Sequence, residues 1–366
     1  MATRPTVGKA NVVDQGSVLD LFAGAGGWDE GLRQLGHEAL GIEIDEIASA
    51  SAEAAGHRRL VTDLSSLRPG RFSPVWGLIA SPPCQAYSTS GNGLGRRDKH
   101  RVIACARDIA KGRDTRDEWR RRCLEPDSLL TVEPLRFAFD LKPRWLAFEQ
   151  VTPVGELWRV FADLLSEHGY ETSVDVLSSE RYGVPQVRKR SFLIASLDGP
   201  VRMPEPTHRS FNARRHLAPE DELHLRQWVS IAEALGWGGR PATLRSTHTN
   251  SGRHPGGAPR SFDRPAFTFM CGSGAWKIET EESTARTSRG RATPEGAAPR
   301  FGSRKRFERI TVEQAAIIQG FRHDYPWQGT RNQRFTQIGN SVCPPVAQHV
   351  LREAMRPSLE NRRERS

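Results

Sequence analysis

Four short apolar runs, each broken by glycine, proline or an acid, organise the first ninety residues. "SVLDLFAGAGG" (17–27) begins as an apolar strand and ends in a glycine turn. "WDEGLRQLG" (28–36) has helical spacing, with Leu32 and Leu35 on one face and Gly36 near the C-cap. "EALGIEID" (38–45) reads as a second strand ending in acids, and "EIASASAEAAG" (46–56) as a helix closed by Gly56. "HRRLVTDL" (57–64) is a third strand, and "VWGLIASPPC" (75–84) a fourth, stopped by its prolines. This β-α-β-α-β alternation predicts an α/β fold with a parallel, doubly wound sheet.

Further along, "RWLAFEQV" (144–151) is another buried strand and "GELWRVFADLLSEHGY" (155–170) an amphipathic helix. Residues 171–196 read as two strands around a turn. From Asp198 to about Arg309, Gly, Pro, Arg, Ser and Thr dominate and the periodicity weakens. That texture predicts a second, irregular, loop-rich domain or a partly disordered insert. Order returns with "TVEQAAIIQGF" (311–321), a helix capped by Thr311 with Glu313 in its first turn. "VCPPVAQHVLREAM" (342–355) is a closing helix, and residues 1–15 and 356–366 read as tails, the latter charged.

Composition narrows the class. Hydrophobic residues make up 37% of 366 positions, and no stretch has the length and apolarity of a membrane span. The N-terminal residues lack the apolar core of a secretory signal, so a cytoplasmic location is expected. Five scattered cysteines without C-x-x-C spacing imply reduced thiols. Eleven singly spread histidines argue against a metal. The net charge is +10, unevenly distributed: residues 91–125 carry +5 and residues 201–310 carry +8. Two basic segments on a slightly acidic body suit a polyanionic partner, although solvated arginine-rich loops give the same count.

Candidate chemistry gathers at the strand ends. The "DLFAGAGG" turn (20–27) lets backbone N–H groups and a helix N-terminus approach a ligand. Glu43 ends the second strand, where a carboxylate grips ribose hydroxyls in nucleoside-binding sheets, and Asp63 ends the third, within reach of an adenine amino group. No phosphate-binding G-x-x-x-x-G-K-[ST] is present, so the ligand reads as an adenosine without a phosphate cradle, which S-adenosylmethionine satisfies. Cys84 follows the fourth strand at the ligand-binding edge, behind Pro82 and Pro83, which stiffen its approach. Glu149 ends another strand, and "QVRKR" (186–190) sets Arg188 and Arg190 on one side of a strand. A thiol, a carboxyl group and two guanidinium groups near a cofactor edge form a candidate catalytic set.

These motifs, in this order, resemble those of the C5-cytosine DNA methyltransferases of the bacterial or phage type. "DLFAGAGG", Glu43 and Asp63 are similar to the family's cofactor motifs, "PPCQAYS" to its nucleophile loop and "QVRKR" to its Gln-x-Arg-x-Arg. "QIGNSVCPP" (337–345) resembles its last motif. The resemblance covers roughly residues 17–198 and 306–355. Three features depart from it: Ala80-Ser81 stand where glycines are usual, Gln150 replaces an asparagine, and residues 92–126 form a basic insertion.

The resemblance implies a Rossmann-like S-adenosylmethionine-dependent methyltransferase domain at 16–198, completed by 306–355, and a smaller, irregular target-recognition domain at 199–305. It implies Cys84 as the thiolate that adds to cytosine C6, Glu149 as the acid at N3, and Arg190 with Arg188 at O2. Phe22, Ala23, Gly24, Gly26, Glu43, Ile44, Asp63, Leu64, Pro83, Asn340, Ser341 and Val342 are the implied cofactor contacts, with S-adenosylhomocysteine as product. Gln85, Ser88, Ser90, Gln186 and Thr268 are the implied contacts to double-stranded DNA carrying a flipped base. The expected protein is a monomer without metal or membrane, with a cognate restriction endonuclease as a candidate companion. RNA cytosine-5 methylation and a non-catalytic DNA-binding regulator are the rival readings.

Overall fold

The computed structural model describes residues 17–83, 87, 94–212, 220–246, 259–269, 276–285 and 301–365. The predicted alternation appears as β1 (Val18–Leu21), α1 (Gly27–Arg33), β2 (Ala39–Glu43), α2 (Glu46–Ala54), β3 (Arg58–Val61) and β4 (Gly77–Ala80). Then come α3 (Leu94–Ala110), α4 (Arg116–Arg122), α5 (Glu133–Leu141), β5 (Trp145–Val151), α6 (Gly155–Ser166), β6 (Glu171–Ser178) and β7 (Lys189–Ser196). The seven strands form one sheet in the order β3-β2-β1-β4-β5-β7-β6.

The sheet is not wholly parallel. β7 runs antiparallel to both β5 and β6. The connection between β6 and β7 is too short for a helical crossover, so the second strand of that pair must return beside the first. Arg188 falls just before β7 rather than inside it.

Alternating residues divide the sheet into two cores. Leu19, Leu21, Leu78, Leu146 and Phe148 pack on the face covered by α3, α5 and α6. Val18, Ile79, Trp145 and Ala147 pack on the opposite face with Trp28 and Leu32 of α1. Fully buried side chains of this size each contribute about 1.5–3 kcal/mol relative to exposure.

Residues 199–309 hold more regular structure than their sequence predicts. They contain α7 (Ile231–Ala234), β8 (Ala242–Arg245), β9 (Arg260–Ser261), β10 (Lys277–Ala285) and β11 (Phe301–Arg309). The four strands form a sheet ordered β11-β10-β8-β9, so the expected boundary at 305/306 runs through β11. Leu244, Phe262, Phe269 and Trp276 share a core with α8 (Val312–Gln319) and α9 (Arg331–Asn340). Thr311 caps α8 as the sequence predicts, in a reciprocal capping box with Gln314.

The closing helix, α10, extends from Pro344 to Arg365 and takes in the expected charged tail. Asp198 anchors that extension: it accepts from the Ser358 hydroxyl, and its carbonyl accepts from Asn361 Nδ2 at 3.0 Å. Arg362 lies over the Trp76 ring at 4.4 Å. Among the described residues, no helix is long and apolar enough to cross a membrane.

Candidate active site

The chain leaves β1 through three left-handed residues, Phe22 (φ 60°), Gly24 (φ 54°) and Gly26 (φ 102°). Left-handed backbone is costly for a residue with a side chain, and such strain concentrates at ligand sites. A Cβ on Gly24 would meet open space, so the turn presents bare backbone there. Glu43 holds this turn in place. One carboxylate oxygen accepts from Gly24 N at 2.8 Å, the other from Ile44 N and Asp45 N at 2.8 Å each. Asp63 caps the next turn, accepting from Ser65 N at 2.9 Å and from the Ser65 hydroxyl at 2.8 Å. Ile44 and Val61 stand 67% and 44% exposed beside these two acids. Leu64 does not share that surface; its side chain is in the core, because the turn points it inward.

Two residues that the pattern reading missed underlie this turn. Asp20 is fully buried and neither of its carboxylate oxygens has a partner. Burial first, and the charge of Asp29 next, push its pKa well above the usual carboxylate range. Arg59 pairs with Asp29 at 2.7 Å, both side chains buried, and donates to Gly24 O at 3.3 Å. The available signal was an acid inside an apolar strand, "VLDL", which is unusual unless it has work at a strand end.

Cys84, Gln85, Ser88 and Ser90 lie outside the described residues. The root of their segment is described and tightly held. Ser81 N donates to Leu21 O at 3.2 Å, and the Ser81 hydroxyl accepts from Trp28 Nε1 at 2.8 Å. The Gln150 amide donates to Pro82 O, while its oxygen accepts from Val151 N at 2.6 Å. The longer glutamine side chain thus reaches the proline pair from the neighbouring strand. Pro83 is half-buried beside it.

Glu149 is buried at the end of β5, and Arg190 of β7 comes within 3.1 Å of its carboxylate. Glu149, Arg188, Arg190, Ser179, Val342 and Cys343 line one small cavity. Cys343 is no rival nucleophile: burial pushes its thiol up to about 11. Arg188 is committed elsewhere than expected. Its guanidinium donates to Phe269 O at 3.0 Å, Gly339 O at 2.9 Å and Ser341 O at 3.3 Å. It therefore ties three chain segments together behind the cavity.

Gln186 is fully buried, which removes it from the set of DNA contacts. Its amide donates to Gln319 Oε1 at 2.8 Å and its oxygen accepts from Phe269 N at 2.8 Å, because residue 186 starts the crossing into the second core. Thr268 is half-buried and donates to Val187 O at 2.9 Å. In the last segment Ser341 and Val342 are buried and Asn340 is exposed. A Cβ on Gly27 would collide with the Val342 carbonyl, so glycine there lets this segment close on α1.

The basic insertion is built into the fold by its own acids. Asp98 is buried and accepts from Leu124 N at 2.9 Å and Glu125 N at 2.8 Å. Arg122 pairs with Glu118 at 2.7 Å, and Arg120 lies 4.0 Å from Asp117. Among the described residues no His/Cys/Asp/Glu group is arranged to hold a metal.

The sequence profile of the C-5 cytosine-specific DNA methylases matches residues 16–356. The Type II methyltransferase M.DdeI of Desulfomicrobium norvegicum is 27% identical over 234 residues, covering 60% of this chain and 47% of the relative. The chain thus spans about half of that protein's length. The Type II methyltransferase M.MthTI of Methanothermobacter thermautotrophicus is 24% identical over 346 residues, covering 92% of this chain and 96% of the relative. Among solved structures, the Dnmt2 methyltransferase of S. pombe superposes with a TM-score of 0.57 at 17% identity, covering 93% and 99% of the two chains. That likeness concerns the fold.

Proposed function

We propose, since this chain belongs to the C-5 cytosine-specific DNA methylase family, that its described strand ends hold S-adenosylmethionine and a flipped cytosine for methyl transfer to C5. The observation that carries this reading is the buried Glu149 paired with the half-buried Arg190, set beside the anchored root of the Cys84 segment. An acid and a guanidinium at one strand edge suit the N3 and O2 edge of a pyrimidine.

The cofactor fits the residues present. The open face of Gly24 admits a ligand, Glu43 and Asp63 retain acceptor capacity for ribose hydroxyls and the adenine amino group, and Ile44 and Val61 offer apolar cover. The orphaned Asp20 carboxyl suits the cofactor's ammonium end. S-adenosylmethionine supplies an electrophilic methyl group there. In this reading Cys84 adds to C6 of cytosine, which makes C5 nucleophilic. Glu149 donates a hydrogen bond to N3 and Arg190 offsets charge developing at O2. Transfer of the C5 proton to solvent water, its bonding pair expelling the Cys84 thiolate from C6, restores the aromatic ring. Gln85, Ser88, Ser90 and Thr268 contact phosphate, and the 199–305 segment reads the sequence around the target. We propose a restriction endonuclease as its companion in the cell; the likeness to Type II methyltransferases is in keeping with this.

Incubation with labelled S-adenosylmethionine and either duplex DNA or RNA tests the function. 5-Methylcytosine should appear in duplex DNA at one sequence context, located by bisulfite sequencing; label entering RNA alone would refute the reading. Glu43→Ala should weaken cofactor binding by about 1–3 kcal/mol, the scale of a charged hydrogen bond. Calorimetry on the folded variant measures this, and unchanged affinity would remove Glu43 from the ribose site.

A further inference from the structure

Behind the turn that Asp63 caps lies an ion network, buried at Glu133 and Arg136, that no step of the reaction uses. Glu133, at the start of α5, is 1% exposed at its side chain and sits between two arginines. Arg116, the first residue of α4, donates to one Glu133 oxygen at 2.7 Å, and Arg136 Nε donates to the other at 2.7 Å. Each guanidinium group also donates to the segment after Asp63. Arg116 donates to Ser65 O at 3.0 Å, and Arg136 donates to Leu67 O at 2.7 Å and Leu64 O at 3.2 Å. Asp114 closes the set, accepting from Arg116 Nε and Nη2 at 2.8 Å each.

A buried ion triad adds little stability over an apolar cluster of the same volume. What this one supplies is position. Ser65 is the residue whose N–H and hydroxyl orient the Asp63 carboxylate. We infer that Arg116, held by Glu133 and Asp114, is a positioning residue that sets where the Asp63 carboxylate meets the adenine amino group, so that the basic insertion tunes cofactor recognition. The inference rests on the assignment of Asp63 to adenine. Its consequence is selective: loss of Arg116 blunts the reading of the adenine edge while leaving the ribose end, held by Glu43, intact.

Calorimetry with S-adenosylhomocysteine and S-inosylhomocysteine, which replaces the amino group by a carbonyl, tests this. The unmodified protein should prefer the adenosyl ligand by at least about tenfold, because a carboxylate facing a carbonyl is left unpaired. Asp63→Ala should erase that preference. Arg116→Ala and the charge-retaining Arg116→Lys should each cut it severalfold, with the inosyl affinity changed less than about twofold, since lysine cannot reproduce a planar fork of donors. If Asp63→Ala leaves the preference intact, the adenine assignment falls and takes the inference with it. If Asp63→Ala erases the preference but both Arg116 variants keep it, or weaken both ligands equally, Arg116 is structural and the inference alone is overturned.

Discussion

Replacing Cys84 by serine is expected to abolish methyl transfer while leaving cofactor and DNA binding in place. A serine hydroxyl ionises far less readily than a thiol and is a much weaker nucleophile toward C6 at neutral pH. Duplex DNA carrying 5-fluorocytosine at the target should trap the unmodified protein as a covalent adduct, because fluorine cannot leave as the C5 proton does. The Cys84→Ser protein should bind the same DNA and release it on denaturation; a stable adduct with the serine variant would remove Cys84 from the mechanism. Glu149→Gln should lower kcat by about 10²–10⁴, the usual contribution of a positioned acid, since the amide keeps the shape of the site but supplies no acidic proton. Retention of DNA affinity in that variant would separate the chemical step from binding.

The strand ends were legible because each carries a local signal: a glycine turn, an acid on schedule, a proline stop. Glu43 and Asp63 fall at the strand ends where the alternation places them, and each holds a turn there through backbone N–H groups. What stayed hidden depends on segments distant in sequence. Arg188 and Arg190 look equivalent in "QVRKR", yet one faces Glu149 and the other reaches residues 81 and 151 positions away. Gln186 was a DNA contact only by resemblance; in the fold it is buried and bonds to Phe269 N and Gln319. The charged C-terminal residues continue α10 because Asp198 and Trp76 receive them, and composition cannot disclose that. The strands β8, β10 and β11 were hidden by irregular spacing and by charges within them that pair across the sheet, as in the Arg245–Glu279–Lys305 cluster.

Arg188→Met should destabilise the protein by about 2–5 kcal/mol, since each buried carbonyl left without its donor costs about 1–3 kcal/mol. The substitution keeps most of the side-chain volume but takes the Arg188 donors from the carbonyls of Phe269, Gly339 and Ser341. Gln319 Nε2 also donates to Ser341 O, at 2.7 Å, so one of the three keeps a partner. Gln186 reaches the same group of residues from the other side, through Phe269 N and Gln319. The two side chains therefore act on one joint between the segment at Phe269, α8 and the end of α9. Urea unfolding of Arg188→Met, Gln186→Leu and the double variant should show less than additive losses, as neighbours in one network do. Arg188→Lys should recover only part of the stability, because an ammonium cannot hold the planar fork of donors. A different result would reassign the residue. If Arg188→Met unfolds at the same urea concentration as the parent but loses turnover as severely as Arg190→Met, then Arg188 works on the cytosine ring and not on the joint.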